Sequence, residues 1–351
     1  MSKSSKKQPF DPNTVTVKND NFIGLPFTKE EADIFLLPVP WDVTTSFKPG
    51  TSRGPANILE QSYQLDLYDP EFKDPWKIGF YFDQIDSHIL SQNDKLRSMA
   101  QRYIDELEEG AELADSPELQ DIQSAINEGC RQLNEWVYRQ TAKRLNQGKI
   151  MGLVGGDHST PLGFYRAIGD HFGPFGILTI DAHLDLRKAY EGFQYSHASI
   201  FYNALQNSNV LRIMHVGIRD CCEAEVSYSD ARAKRSIYFF DHELKSQSFN
   251  GMTWDNICKN IVDRLPDNVV VSIDIDGLSP DHCPNTGTPV PGGLSYDQTI
   301  HLVRTCLERG KRILAFDVCE VAGDGDWDGN VGARIIYKLG ALVAKSNGMI
   351  E

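Results

Sequence analysis

The sequence predicts a three-layer α/β/α domain built on a mostly parallel sheet, and two observations carry that prediction. From residue 149 onward, short, continuously apolar runs alternate with amphipathic segments of helical period. Buried parallel strands and their crossover helices read this way. Three of the apolar runs then end in clusters of aspartate and histidine, and in open α/β sheets ligands bind outside the carboxyl ends of the strands.

Residues 1–30, beginning "MSKSSKKQPF", are polar and irregular and read as an N-terminal arm ahead of one domain spanning 31–351. "DIFLLPVPW" (Asp33 to Trp41) is the first buried strand and leads into the loop "DVTTSFKPGTSRGP", rich in Gly, Pro and Thr. "WKIGFYF" is a second strand. A charged helical region follows at about 95–148, containing "DELEEGAELADSPELQD" and the periodic "INEGCRQLNEWVYRQTAKRL". Its acidic stretch reads as a solvated face. The regular part then runs strand "IMGLVGG", helix "TPLGFYRAIGDHF", strand "FGILTID", helix "ASIFYNALQ", and strands "VLRIMHVGI" and "SIYFF". Helix "TWDNICKNIVDRL", strand "NVVVSIDID", helix "SYDQTIHLVRTCLERG", strand "KRILAFDVCEV" and helix "NVGARIIYKLGALVAK" complete it. With no internal repeat and no linker, a single domain is expected.

The chain's 351 residues, 40% hydrophobic and 24% charged, suit a globular protein with a substantial core. No apolar run reaches the roughly 18–20 residues a membrane span needs, and the N-terminus lacks the apolar centre of a signal peptide. A net charge of −14 argues against a nucleic-acid partner and against an anionic membrane surface. The seven cysteines are scattered without a CxxC pair, as expected of reduced thiols in a soluble cytoplasmic protein.

The strand-end clusters are "VGGDHST" with His158, "IDAHLDLR" with Asp181, His183 and Asp185, and "VSIDIDGL" with Asp274 and Asp276. Along an extended strand, residues two apart share a face, so each set converges if it continues the strand. Four carboxylates and two imidazoles suit divalent ions such as Mn²⁺, Ni²⁺, Co²⁺ or Zn²⁺. Left alone, the carboxylates repel one another and raise each other's pKa. Two divalent cations would balance them and share a bridging hydroxide, a strong nucleophile at neutral pH. Each piece also has a plainer reading: GGDH as a capped turn, DxHxD as a polar strand end, DID as an N-cap. The three together supply a complete dinuclear ligand set.

"GGDHS", "DAHLD" and "SIDIDGLSP" resemble the three signature motifs of the ureohydrolases, the family of arginase, agmatinase and formimidoylglutamase. The likeness runs from about Leu36, where "PVPWDVTTSFKPGTSRGP" is similar to the agmatinase-type N-terminal loop, through Ala344, but leaves the arm and about 95–140 unexplained. It implies an arginase-like fold, a trimer or hexamer, and two metal ions, Mn²⁺ first and Ni²⁺ second. One ion would be held by His158, Asp181, Asp185 and Asp274, the other by Asp181, His183, Asp274 and Asp276. It further implies that His197 in "YSHAS" shuttles protons to the leaving amine, that Glu320 in "FDVCEV" pairs with the guanidinium, and that Asp185 stabilises the tetrahedral intermediate.

Substrate features are mixed. Leu186 and Arg187 stand where arginases carry residues for an α-amino acid end, and "DLR" looks more like formimidoylglutamases, in which Arg187 would meet a carboxylate. "AGDGDWDGNVGARIIYKL" departs from the family's usual stretch and puts Trp327 after Glu320, where an indole face would cover a cation. Alternatively, Arg187 pairs with an acidic neighbour and Trp327 is a packing residue. The expected activity is agmatine hydrolysis to putrescine and urea. The alternatives are a guanidine hydrolase, a guanidinobutyrase, a formimidoylglutamase and, from another class, a non-catalytic metal-binding scaffold.

Overall fold

The computed structural model describes residues 10–350. Among these residues eight strands, all parallel, form one sheet in the order β2-β1-β3-β8-β7-β4-β5-β6. They are β1 (Ile34–Val39), β2 (Phe80–Phe82), β3 (Ile150–Gly155), β4 (Phe175–Ile180), β5 (Val210–Ile218), β6 (Ser236–Phe240), β7 (Asn268–Asp274) and β8 (Arg312–Cys319). β1 and β4 are buried along their whole length, as expected of strands covered on both faces. Alternation along β1 shows the two covers. Ile34 and Leu36 pack into a core with Phe80, Ile336 and Leu339, while Phe35, Leu37 and Val39 pack into another with Tyr103, Ile126 and Phe164.

The first core lies under α1 (Gly54–Ser62), α8 (Trp254–Val262), α9 (Tyr296–Glu308) and α10 (Asp326–Ser346). Beneath the second lie α2 (Ser87–Glu108), α3 (Pro117–Leu145), α4 (Leu162–Phe172) and α5 (Ile200–Ala204). Caps delimit these helices as their sequences allow: Asp86 accepts the amides of His88 and Ile89, and Ser116 precedes a proline at the first position of α3. Three helices were not expected: α1, α6 (Glu223–Asp230) and α7 (Asp241–Phe249). In α6 and α7 the buried faces are short and largely polar, Glu225 and Ser229 in α6 and Asp241 and Leu244 in α7, so no apolar period marks them. Phe22, Ile23 and Leu25, inside the predicted arm, are fully buried in the first core.

The order places the chemistry. β3 and β4 follow each other in sequence, yet β8 and β7 lie between them. All three aspartate–histidine clusters and Glu320 therefore leave from four adjacent central strands, around the point where the chain crosses the sheet. Among the described residues, no helix is long and apolar enough to cross a membrane.

Candidate metal centre

His158 leaves β3 through Gly155 and Gly156. A Cβ on Gly156 would lie 2.0 Å from the Trp41 carbonyl oxygen, so only glycine lets the turn pass so close to the first strand's exit. His158 then sits with Nδ1 3.1 Å from Asp181 Oδ2 and 3.2 Å from both Asp185 Oδ2 and Asp274 Oδ2. Beside this group, His183 Nδ1 lies 3.1 Å from Asp276 Oδ2 and 3.7 Å from Asp181 Oδ1. Two ligand sets thus meet at Asp181, which turns one oxygen to each.

The spacing works by a different route from the one the sequence suggests. β4 ends at Ile180, and Asp276 lies in a 3-10 turn, Ile275–Gly277. The first aspartate of each pair caps the amide two residues on: Asp181 Oδ1 accepts from the His183 amide at 2.6 Å, and Asp274 Oδ1 from the Asp276 amide at 3.0 Å. Asp276 Oδ1 accepts from the Ala182 amide at 3.1 Å. In Asp274 and Asp276, capping and ligation are therefore divided between the two oxygens of one carboxylate, whereas Asp181 Oδ1 caps the His183 amide and faces the His183 ring as well. Asp185 reaches the group from the left-handed region, φ 51°, its carbonyl taking the amides of Phe201 and Tyr202 in the first turn of α5.

A network beneath His158 sets its tautomer. The Nε2 atom is 3.0 Å from Ser272 Oγ, and Ser272 gives its own proton to Asp317 Oδ1 at 2.7 Å. Tyr165 donates to Asp317 Oδ2 at 3.0 Å. Ser272 must then accept from Nε2–H, which leaves the Nδ1 lone pair aimed at the carboxylates. His158 Nδ1 and Asp181 Oδ2 are both buried without a hydrogen-bond partner among the described residues. Donors ~2.1 Å from one ion and at right angles to each other stand ~3 Å apart, matching the 3.1–3.2 Å separations around His158. These residues fit two divalent ions. His158 also joins Asp317 and Cys319 in a third cluster, but Ser272 already occupies the Nε2 side.

Charge crowding points the same way. Burial, reinforced by Asp181, pushes the Asp185 carboxyl up to about 7. Burial with Asp276 and Asp181 raises Asp274, and burial with Asp274 and Asp157 raises Glu320. Asp181 goes the other way: burial opposes ionisation, but the His158 and His183 side chains that face it hold it below the usual carboxylate range. Cations between these groups would relieve the crowding.

The cluster floors a cavity of about 180 Å³. Glu320, at φ 62°, accepts the His158 amide on Oε1 at 2.9 Å and lines the cavity with Asp274 and Asp276. His197 lines the wall. Its amide donates to Thr44 Oγ1 at 3.1 Å, and Thr44 donates to Asp157 Oδ2 at 3.1 Å. Burial, with the neighbouring His183, lowers its imidazole to about 4. Arg187 lines the mouth, 3.6 Å from Glu225 Oε2 and stacked 4.7 Å over the Tyr190 ring.

The structure thus brings together His158, Asp181, His183, Asp185, Asp274, Asp276, His197, Glu320 and Arg187. Trp327 is not among them. It opens α10 about half exposed, its indole N–H bonded to the Asp281 carbonyl at 2.8 Å, and it does not line the cavity. Sequence reasoning missed Thr44, Ser272, Asp317, Tyr190 and Glu225. The only sequence signal for any of them is the strand alternation that puts Ser272 two residues before Asp274. A larger cavity of about 920 Å³, between residues 42–53 and α2, holds none of the predicted site residues.

A family model described as the arginase family matches residues 32–342. An N(1)-aminopropylagmatine ureohydrolase of Thermus thermophilus is 29% identical over 309 residues, covering 88% of this chain and 89% of that one. The crystal structure of the agmatine ureohydrolase of Thermoplasma volcanium superposes with a TM-score of 0.71 at 21% identity, covering 95% and 97% of the two chains. A formiminoglutamase of Trypanosoma cruzi, solved with Mn²⁺, gives 0.67 at 17% identity over 94% and 99%.

Proposed function

The chain belongs to the arginase family, ureohydrolases that cleave C–N bonds of amidino compounds, and from that premise we propose that it hydrolyses a guanidinoalkylamine, agmatine first, with two divalent ions. The observation that carries the metal-dependent reading is the pair of ligand sets meeting at Asp181, with His158 Nδ1 3.1–3.2 Å from three carboxylate oxygens. When bound, the ions, Mn²⁺ before Ni²⁺, would neutralise the carboxylates and acidify the attacking water.

The chain's own residues do the rest. Glu320 has one oxygen spent on the His158 amide and turns the other to the planar cation, which holds it ionised despite its burial. Asp185 steadies the tetrahedral intermediate formed at the guanidinium carbon. His197, uncharged at neutral pH, takes a proton on its imidazole and passes it to the departing amine. Two carboxylates, Asp220 and Glu225, line the cavity with a single guanidinium, Arg187, which is paired to Glu225. That balance favours a cationic tail over the anionic tails of 4-guanidinobutyrate and N-formimidoyl-glutamate, with Arg187 turned to Glu225 and Tyr190 and away from the tail. The enzyme works in the cytoplasm with its seven cysteines, all unpaired, as free thiols; sedimentation would read the trimer or hexamer directly.

The test is urea release by the purified chain, loaded separately with Mn²⁺ and Ni²⁺, from agmatine, N1-aminopropylagmatine, arginine, 4-guanidinobutyrate and guanidine. Urea from the two alkylamines is the expected result. Turnover of guanidine alone would reassign the substrate, and silence on all five with no metal retained would favour the non-catalytic scaffold.

A further inference from the structure

We propose that Asn127 on α3 and Arg97 on α2 are positioning residues for His197, and that the α2–α3 hairpin serves as a shared bed for the two loops that hold the imidazole. The proposal rests on His197 being the proton carrier of the reaction proposed above. His197 is not on a strand. Its amide hangs from Thr44 Oγ1, on the loop after β1, and its segment follows a tight turn at Tyr190–Phe193, where each of these two residues bonds the other's carbonyl at 3.2 and 2.8 Å. Neither loop is fixed by the sheet alone, and both are tied to the same hairpin.

On the first loop, Asn93 Oδ1 accepts the Asp42 amide at 2.7 Å, and Arg97 donates to the carbonyls of Val43 and Thr45, on either side of Thr44. Ser46, one residue on, lines the cavity. The second loop meets Asn127, whose Nδ2 donates to the Gly192 carbonyl at 3.2 Å while its Oδ1 accepts the Gln194 amide at 2.8 Å. A side-chain amide thus pairs with the backbone on both sides of Phe193, as a neighbouring strand would. Phe193 is fully buried, its ring 5.1 Å from Tyr103 of α2. Gly192, at φ 79°, lies so close to α3 that a Cβ would sit 1.8 Å from Gln123 Nε2. Tyr190, at the head of this turn, presents its ring edge-on to His197 at 6.3 Å and lines the cavity. Releasing either tie moves the imidazole and leaves the strand-borne ligands where they are.

The decisive experiment places Asn127→Ala in the native and the His197→Ala backgrounds of the Mn²⁺-loaded chain. A shift near 1 Å in a reacting group costs up to about 100-fold. Asn127→Ala is therefore expected to lower kcat about tenfold, leave KM and metal content within about twofold, and add less than about twofold once His197 is gone. Asn127→Asp, which keeps the acceptor for the Gln194 amide, should recover part of the loss. Arg97→Lys, which gives up the forked donor, should repeat the pattern from the other loop. Equal losses in both backgrounds would overturn the proposal. Amide exchange on the same proteins decides it independently of activity: faster exchange at His197, whose donor bond is to Thr44, supports positioning, and unchanged exchange there overturns it. If the native chain releases no urea from any guanidino compound, the functional reading fails, and the exchange result still rules on the loops.

Discussion

At the floor of the cavity, every candidate ligand leaves one of the central strands β3, β4 and β7 within a few residues of its last ladder bond, and backbone amides hold one oxygen of Asp181, Asp274 and Asp276. On the wall and at the mouth, Ser46, Tyr190 and His197 ride on loops whose ties lie on a distant helical hairpin. The floor is rigid because the sheet is rigid; the mouth is only as well placed as the side chains that fasten it. Ligand geometry and proton transfer should therefore fail separately.

The largest effect should come from the floor. Asp274→Asn keeps the cap on the Asp276 amide but removes a charge facing His158, and activity should fall to background with metal lost on dialysis, measured by elemental analysis. A fully metallated, active variant would break the contrast. His197→Ala should lower kcat about 10²- to 10⁴-fold, the usual worth of a positioned acid–base group, with metal content unchanged; loss of metal with activity would make the wall part of the floor. Ser272→Ala leaves every candidate ligand in place but takes the acceptor from His158 Nε2–H, and should weaken metal affinity about 10- to 100-fold in a chelator titration. Trp327→Ala should change kcat/KM within about twofold and stability by about 1 kcal/mol, the worth of its bond to Asp281. A larger kinetic effect would put the indole in the cavity after all.

The same contrast governs what the sequence made legible. A strand is read from its apolar run, and a motif at its end inherits a position, so the sheet and the six clustered Asp and His residues were all within reach. The route by which Asp185 joins them was not: it depends on a left-handed backbone that spacing does not announce. Thr44 and Asn127 were silent because their meaning lies in contacts across 153 and 65 residues of chain. Trp327 misled for a related reason. Its nearness to Glu320 in sequence is undone when α10 starts and the indole turns to Asp281. The region at about 95–148, read as a charged helical stretch with a solvated face, buries Tyr103, Ile126 and Val137 and carries the ties to the mouth.

Asp185 and Glu320 share one more property. Both hold left-handed backbone, φ 51° and 62°, where a side chain costs about 1 kcal/mol that glycine would not pay. At these two positions folding and chemistry rank the amino acids in opposite order. A thermostability screen blind to turnover would drift toward glycine at both sites, yielding a sturdier protein with two side chains stripped from the candidate cavity. Consensus or stability-guided redesign of this chain should therefore hold residues 185 and 320 fixed.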